Sequence, residues 1–289
     1  MDFIVNIIEQ AGIFGIMAIG VYITYSILDF PDLSVDGSFP LGGAVAAALI
    51  VVGVNPWIAT FLALIAGAGA GWMTGFLHVK CKITNLLSGI LVMIGLYSIN
   101  LRVMGQSNVP LLNNKTIFST GIPKVVIIIA LAIGVKIAID LFFKTKMGYI
   151  LKTTGDNPQL VTSLGVDLGK TKIMGLMTAN ALVALSGAIM VQNQRFADVN
   201  MGTGTIVMGL ASIIIGQSIF KKVSALKVTT VVLIGSIIYR GSVALALYLR
   251  FPPNDLKLIT AVIVVVAITI NNNDFSLKEF LVKRREKTC

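Results

Sequence analysis

Charged residues are scarce in this sequence. Only 12% of its 289 residues are Asp, Glu, Lys or Arg, whereas 56% are apolar. Soluble globular domains carry about 25% charged residues, so these polar side chains are too few to cover a water-exposed surface. The shortage excludes a soluble enzyme, a disordered chain and a conventional nucleic-acid-binding protein.

Cysteines and the usual catalytic motifs are also lacking. Cys81 and Cys289 are too few and too far apart to indicate a disulfide framework. The sequence has no phosphate-binding loop of the form G-x-x-x-x-G-K-S/T, so any ATP chemistry must be done by another subunit. No catalytic triad, carboxylate pair or metal-ligand motif stands out. The residues therefore predict no enzyme activity and no cofactor held by this chain.

Long apolar segments are abundant. A bilayer core about 30 Å thick requires roughly 20 mainly apolar residues per helix. Nine segments approach that length, and they predict an all-α polytopic membrane protein with about nine transmembrane helices (eight to ten) in a single domain over residues 1–289. One segment, 40–54, is short and fits a partial or broken helix. The segments are 3–28, 40–54, 56–77, 84–103, 122–143, 172–192, 203–220, 226–249 and 254–271.

The net charge of +10 is concentrated in particular loops. The first 79 residues contain no Lys or Arg, and 15 of the 23 basic residues follow spans three, five, seven and nine. Because cytoplasmic loops are enriched in Lys and Arg, this pattern predicts a multi-pass protein of the cytoplasmic membrane with its C-terminus inside and its N-terminus outside. These residues are Lys80, Lys82, Lys144, Lys146, Lys152, Lys170, Lys172, Lys221, Lys222, Lys227, Lys278, Lys283, Arg284, Arg285 and Lys287.

The two halves of the chain resemble each other. A shift of 166 residues places spans six to nine over spans one to four, and it aligns residues 30–33 (FPDL) with residues 196–199 (FADV). Spans one and six run in opposite directions in the predicted topology. We therefore expect an inverted repeat with halves at about 3–105 and 172–271, as in many transporters. Coincidence is the alternative, since apolar spans resemble one another.

The segment that follows the first span is one candidate site. Asp29, Asp32 and Asp36 lie close together without a basic neighbour. Ionised groups at membrane depth are costly and usually functional, and a short helix starting near Pro40 would suit a broken helix beside a solute pathway. The alternative is a solvated turn whose Asp and Ser residues only cap the second helix. The candidate pathway residues are Asp32, Ser34, Asp36 and Ser38.

A second candidate lies between the halves, in residues 144–172. Residues 155–158 (GDNP) are a turn and helix-start signal, and residues 159–164 can form a short helix that Gly165 ends. Leu160, Val161 and Leu164 recur at helical spacing. A short helix with an apolar face beside water predicts a protein partner, and a connecting loop folded back on the bundle is the alternative.

A few polar or small residues within the spans carry further predictions. Lys136 and Asp140 are four residues apart and should form an intrahelical ion pair. We expect Arg240 to reach the pathway or a carboxylate rather than lipid. The step from Gly71 to Gly75 predicts close helix packing in the third span.

Several motifs together resemble one family. The span order, residues 32–39 (DLSVDGSF) and residues 155–158 followed by 164–167 (LGVD) are similar to the permease family of ABC importers that includes the branched-chain amino-acid and ribose permeases. Residues 87–102 and 107–112 are more similar to the subgroup paired with tryptophan- or tyrosine-type binding proteins. The resemblance covers nearly the whole chain and lacks only the extra first helix of ribose-type members.

This resemblance implies the pore-forming subunit of an ATP-driven importer for a small polar solute, with an amino acid expected. Residues 148–168, within a coupling segment at about 147–170, would form a helix that docks on an ATPase. The implied partners are two ATPase subunits that bind the ATP, an extracytoplasmic solute-binding protein, and a second permease copy or a paralogue. The alternatives are a secondary transporter driven by an ion gradient and a membrane scaffold that transports nothing. The implied coupling residues are Gly155, Asn157, Pro158, Leu164 and Gly165.

Overall fold

A computed structural model describes residues 2–220, 226–249 and 256–271. Some sequence predictions concern residues outside these ranges. They include the start of the ninth span and part of the basic loop residues, namely Lys221, Lys222, Lys278, Lys283, Arg284, Arg285 and Lys287.

The described residues form an almost entirely helical bundle, which confirms the predicted all-α polytopic fold. Each of the nine predicted spans contains a helix, and six of these helices are long and apolar enough to cross a membrane. α2 and α9 are shorter apolar helices. The helices are α1 (Asp2–Tyr22, continued by a π-helical turn at Ile23–Ile27), α2 (Val35–Val51), α3 (Pro56–Val79), α4 (Asn85–Met104), α5 (Lys124–Phe142), α6 (Lys146–Asp156), α7 (Pro158–Ser163), α8 (Leu168–Gln194), α9 (Thr205–Phe220), α10 (Val228–Tyr248) and α11 (Leu256–Asn271).

α8 lies at the centre of the bundle and packs against α1, α2 and α3. Small residues permit this close approach. A methyl group on Gly71 would lie 2.6 Å from the carbonyl carbon of Leu176, and one on Gly187 would lie 2.9 Å from that of Phe39. Both distances are well inside a normal carbon–carbon contact, so these two glycines allow the backbones of α3 and α2 to touch α8. The close packing predicted for the third span from Gly71 and Gly75 is confirmed.

Loops after spans three, five and seven lie at the same end of the bundle. The Nζ atom of Lys172, at the start of α8, lies 3.5 Å from Nε2 of His78 near the end of α3. Lys227 precedes α10 and donates a hydrogen bond of 3.0 Å to Asp140 near the end of α5. The predicted pair of Asp140 with Lys136 is also present, at 3.0 Å. This arrangement places three of the predicted basic clusters on one face.

The opposite end carries a short two-stranded sheet that the sequence did not predict. β1 (Asn108–Pro110) pairs antiparallel with β2 (Phe196–Asp198), and Asn108 faces Asp198. The guanidinium of Arg195 donates a 2.9 Å hydrogen bond to the carbonyl of Asn114. The sheet therefore ties the loop after α4 to the loop after α8.

Two predicted helix boundaries are wrong. The single coupling helix over 148–168 is divided into α6 and α7 at Asn157, because the following proline disfavours helical backbone there and Asn157 adopts φ −149° and ψ 87°. The second span begins at Val35 and not near Pro40, which lies inside α2. Pro40 has no backbone N–H, so the carbonyl of Asp36 lacks its usual partner in the helix.

Candidate translocation site and coupling segment

Asp32 is buried in a hydrogen-bonded network between the two halves of the chain. It lies in the loop between α1 and α2 and is 1% exposed. Its Oδ1 accepts hydrogen bonds from the backbone N–H (2.9 Å) and hydroxyl (2.6 Å) of Ser34, and its Oδ2 accepts one of 2.8 Å from Nδ2 of Asn180 on α8. Burial raises the pKa of the Asp32 carboxyl, and these hydrogen bonds partly lower it. Asp32 therefore joins α2 to α8.

Asp36 caps a helix from the other half of the chain. Its Oδ2 accepts a 2.9 Å hydrogen bond from the N–H of Gly204. Its Oδ1 accepts hydrogen bonds of 2.9 Å from the Thr205 hydroxyl and from the N–H of Ile206. A carboxylate at this place satisfies free N–H groups of α9 and interacts favourably with its dipole. The N-terminal turns of α2 and α9 thus meet at Asp36.

The remaining predicted pathway residues are buried beside this meeting point. Ser34 and Ser38 are 0% exposed, and the hydroxyl of Ser38 has no hydrogen-bond partner among the described residues. Asp29 differs, since it is exposed. The structure brings Asp32, Ser34 and Ser38 together inside the protein, so the Asp32 carboxylate is not a solvated cap. Asp36 is half-buried and caps α9.

A cavity of about 440 Å³ adjoins Asp36. It lies between α2, α4 and the segment that follows β2. Asn100 is 0% exposed, donates a 3.2 Å hydrogen bond to the Gly37 carbonyl, and leaves its Oδ1 unpaired among the described residues. No Lys, Arg or His of the described residues lines this cavity. Its polar lining consists of Asp36, Tyr97, Ser98, Asn100, Asn200 and Thr203.

Sequence reasoning missed Asn100 and Asn180. Each lies within an apolar stretch of its helix, with no local pattern around it. The signal that could have found them is their polarity itself, because polar side chains within membrane spans are rare and usually face the interior of the bundle.

The coupling segment projects an apolar edge from one end of the bundle. Leu160 is 48% exposed and Leu164 is 67% exposed, whereas Val161 is buried. Oδ1 of Asn157 accepts a hydrogen bond of 3.1 Å from the N–H of Leu160 and so caps α7. Gly165 follows α7 with φ +74°, a conformation that favours glycine. Of the five predicted coupling residues, Asn157, Pro158, Leu164 and Gly165 are exposed.

Gly155 has a different environment, because it faces the bundle. A side chain at this position would overlap the carbonyl oxygen of Ile27, in the π-helical turn that continues α1. π-helical turns are uncommon and often occur at functional sites. The loop that leads from this turn to α2 carries Asp32. The coupling segment and the buried Asp32 network are therefore joined through one short stretch of chain.

Arg240 does not reach a carboxylate among the described residues. Its guanidinium stacks on Phe14, at 3.6 Å from the ring centroid, and lies on the α1 side of α10. It does not line the cavity beside Asp36. Among the described residues Arg240 therefore has no carboxylate partner, and its place relative to the pathway stays a prediction.

A polytopic helical bundle with a buried polar junction, an adjoining cavity and an exposed apolar segment at one end defines a membrane permease. The chain belongs to the family described as the permease component of the branched-chain amino acid transport system, whose profile matches residues 3–269. It is thus the permease component of an ABC-type transporter, a family of transporters and not of enzymes. Membership implies an ATPase and a solute-binding protein as partners.

Several curated proteins are similar over most of the chain. The tyrosine transport system permease protein of Clostridioides difficile is 50% identical over 279 residues, which cover 96% of this chain and 95% of that protein. The protein RP368 of Rickettsia prowazekii is 32% identical, with 93% and 98% covered. The ribose import permease protein RbsC of Escherichia coli K12 is 27% identical, with 73% and 68% covered. No solved structure shows a significant match.

Proposed function

We propose that this permease conducts an α-amino acid through the cavity beside Asp36. The unpaired Oδ1 of Asn100 carries the proposal, because a buried acceptor without a partner is costly unless a ligand supplies a donor. An ammonium group is such a donor. The hydroxyls of Tyr97, Ser98 and Thr203 line the same cavity and can donate to a carboxylate. The similarity to a tyrosine permease agrees with this solute class.

A second copy of the chain, or a close paralogue, would complete the pathway. Tyr97 is 47% exposed and Ile94 is 60% exposed on the face of α4 that borders the cavity, and Ser98 is exposed there as well. Exposed polar groups on a membrane helix favour a protein neighbour over lipid. Two such faces would enclose the solute between them. The wall of the pathway would then be positioned by the buried contacts of Asp32, Ser34, Asp36 and Ser38.

The α6–α7 segment would receive the ATPase, with one ATPase subunit for each permease copy. Leu160 and Leu164 form an apolar edge of the kind that a partner covers. Asn157, Pro158 and Gly165 would set the shape of this edge, and Gly155 would hold α6 against the end of α1. This end of the bundle would be cytoplasmic, because Lys172 and Lys227 also lie there. A solute-binding protein would deliver the amino acid at the end that carries β1 and β2.

We also propose that the two halves are an inverted repeat. Asp32 and Asp198 are related by the shift of 166 residues, and both form the same local turn. Oδ1 of Asp32 accepts from the N–H of Ser34 at 2.9 Å, and Oδ1 of Asp198 accepts from the N–H of Asn200 at 2.7 Å. Asp36 and Gly202, related by the same shift, are in direct contact. Contact between equivalent positions is expected where a two-fold axis passes between two halves.

The test is amino-acid uptake by proteoliposomes that contain the permease, its ATPase and its binding protein. We expect Asn100→Leu to reduce tyrosine uptake at least tenfold, because the acceptor is lost, and Asn100→Asp to retain more uptake. Thr178→Val is the matched control, since the hydroxyl of this half-buried residue bonds only to its own helix, at the carbonyl of Met174. Wild-type uptake in Asn100→Leu would refute the assignment of this cavity.

A further inference from the structure

Arg240 carries a positive charge that the described residues do not neutralise. The ion pairs among these residues involve Asp140 and not Arg240. One guanidinium nitrogen donates a long hydrogen bond of 3.4 Å to Oε1 of Gln10, and the other lies 3.6 Å from the sulfur of Met208. The Nε–H is buried and has no hydrogen-bond partner in the part of the chain that the structure describes. A guanidinium has five N–H donors, so most of its capacity is unused.

Arg240 is half-buried and lies away from the end of its helix. Arg240 lies eight residues before Tyr248, the last residue of α10, which corresponds to about 12 Å along the helix. Its guanidinium packs on Phe14. The ring of Phe3, at the start of α1, lies 6.1 Å from that of Tyr248, so Phe14 is further along α1 from this end of the bundle. A charge held at this depth is costly without a counter-ion. Stacking on an aromatic ring offsets only part of this cost, since it contributes about 0.5–1 kcal/mol at exposed sites and about 2 kcal/mol or more when the pair is desolvated.

A cavity of about 400 Å³ opens onto this guanidinium between α1 and α10. Its polar groups lie together at Asn6, Gln10 and Arg240. Nε2 of Gln10 donates to Oδ1 of Asn6 at 3.3 Å, so the Nδ2 of Asn6 is a further free donor among the described residues. The rest of the lining is apolar and includes Phe3 and Leu247. The cavity thus combines a set of hydrogen-bond donors with apolar walls, and no described carboxylate lines it.

We infer that this cavity binds a monocarboxylate with an apolar body. The carboxylate would accept hydrogen bonds from the Arg240 guanidinium in a bidentate arrangement and from Asn6. The apolar body would lie along the walls that Phe3 and Leu247 provide. A free inorganic anion would leave most of the 400 Å³ unfilled. A zwitterionic amino acid would place its ammonium group where no described carboxylate can pair with it. This site is separate from the cavity beside Asp36 and does not depend on the transported solute.

Such a ligand could come from the aqueous phase or from the bilayer, and its binding would link α1 to α10. The assay is thermal unfolding of the full chain in nanodiscs of phosphatidylcholine free of fatty acids. Phenylacetate represents the soluble source, oleate represents the bilayer source, and tyrosine is the zwitterionic comparison. We expect a concentration-dependent rise in Tm with at least one of the two monocarboxylates, because a ligand that binds only the folded state stabilises it. Any rise with tyrosine comes from the proposed cavity beside Asp36, so it should be the same in the wild-type chain and in Arg240→Gln.

Two variants test whether Arg240 is responsible. Arg240→Gln should weaken binding at least tenfold, and Arg102→Gln is the matched control, because Arg102 is exposed and belongs to α4. Gln10→Glu places a carboxylate beside the guanidinium, so it should raise Tm without ligand and abolish the shift with ligand. Gln10→Met, which adds no charge, should not raise Tm.

Several results would overturn the inference. They are an unchanged Tm of the wild-type chain with both monocarboxylates, an equal monocarboxylate shift in Arg240→Gln, or a tyrosine shift that is lost in Arg240→Gln. If Arg240→Gln does not fold, Gln10→Glu decides, and a full ligand shift in that variant would contradict the site.

Discussion

Gly155→Ala tests the mechanical link between the coupling segment and the membrane helices. The added methyl group would lie 2.8 Å from the carbonyl carbon of Ile27 and would overlap its oxygen. Carbon–carbon contacts are optimal at about 3.5–4.0 Å, so α6 must retreat by about 1 Å from the π-helical turn. Ile27 is 5% exposed and belongs to a buried backbone, which leaves α6 as the part that moves. Overpacking of this kind costs about 1–3 kcal/mol.

We expect this retreat to separate ATP hydrolysis from transport. The exposed residues Leu160 and Leu164 are unaffected, so the ATPase should still bind and hydrolyse ATP. Uptake into proteoliposomes should fall at least tenfold, which corresponds to about 1.4 kcal/mol of lost coupling. Gly134→Ala is the control, because no atom lies within 4 Å of its added methyl group. If Gly155→Ala transports as well as Gly134→Ala, the proposed link through the π-helical turn is refuted.

Three further predictions concern stability, measured by thermal unfolding in nanodiscs. Asn180→Leu removes the 2.8 Å hydrogen bond to Asp32 and should lower the free energy of unfolding by about 1–3 kcal/mol. An unchanged Tm would contradict the buried network. Gly187→Ala should cost about 1–3 kcal/mol because its methyl group would overlap the Phe39 carbonyl oxygen, so a stabilised variant would argue against this helix contact. Lys227→Met should change the free energy of unfolding by less than about 1 kcal/mol, since the Lys227 side chain is 55% exposed. A larger loss would contradict a weak contribution from the ion pair with Asp140.

The membrane helices were predictable because length and apolar composition are local properties of the sequence. The predicted pair of Lys136 with Asp140 also depends on local spacing and is present. The turn and helix-start signal at residues 155–158 and the short helix predicted over 159–164 match α7, which begins at Pro158 and ends before Gly165. The wrong prediction was the single helix over 148–168, which the resemblance implied and which disregards the proline at its centre.

The contacts that build the candidate site could not be predicted in the same way. Asp32 was identified as a candidate, but its partner Asn180 lies 148 residues away in the sequence. The capping of α9 by Asp36 also joins distant segments. Such contacts depend on how the halves pack, and a single sequence carries no local signal for packing. The strands β1 and β2 were missed because three residues are too few to show alternation.

The most direct test of the account is amino-acid uptake by reconstituted proteoliposomes with and without the partner subunits. We predict ATP-dependent uptake when the permease, its ATPase and its binding protein are all present, and no uptake by the permease alone under a proton or sodium gradient. Gradient-driven uptake by the permease alone would contradict the account and favour a secondary transporter.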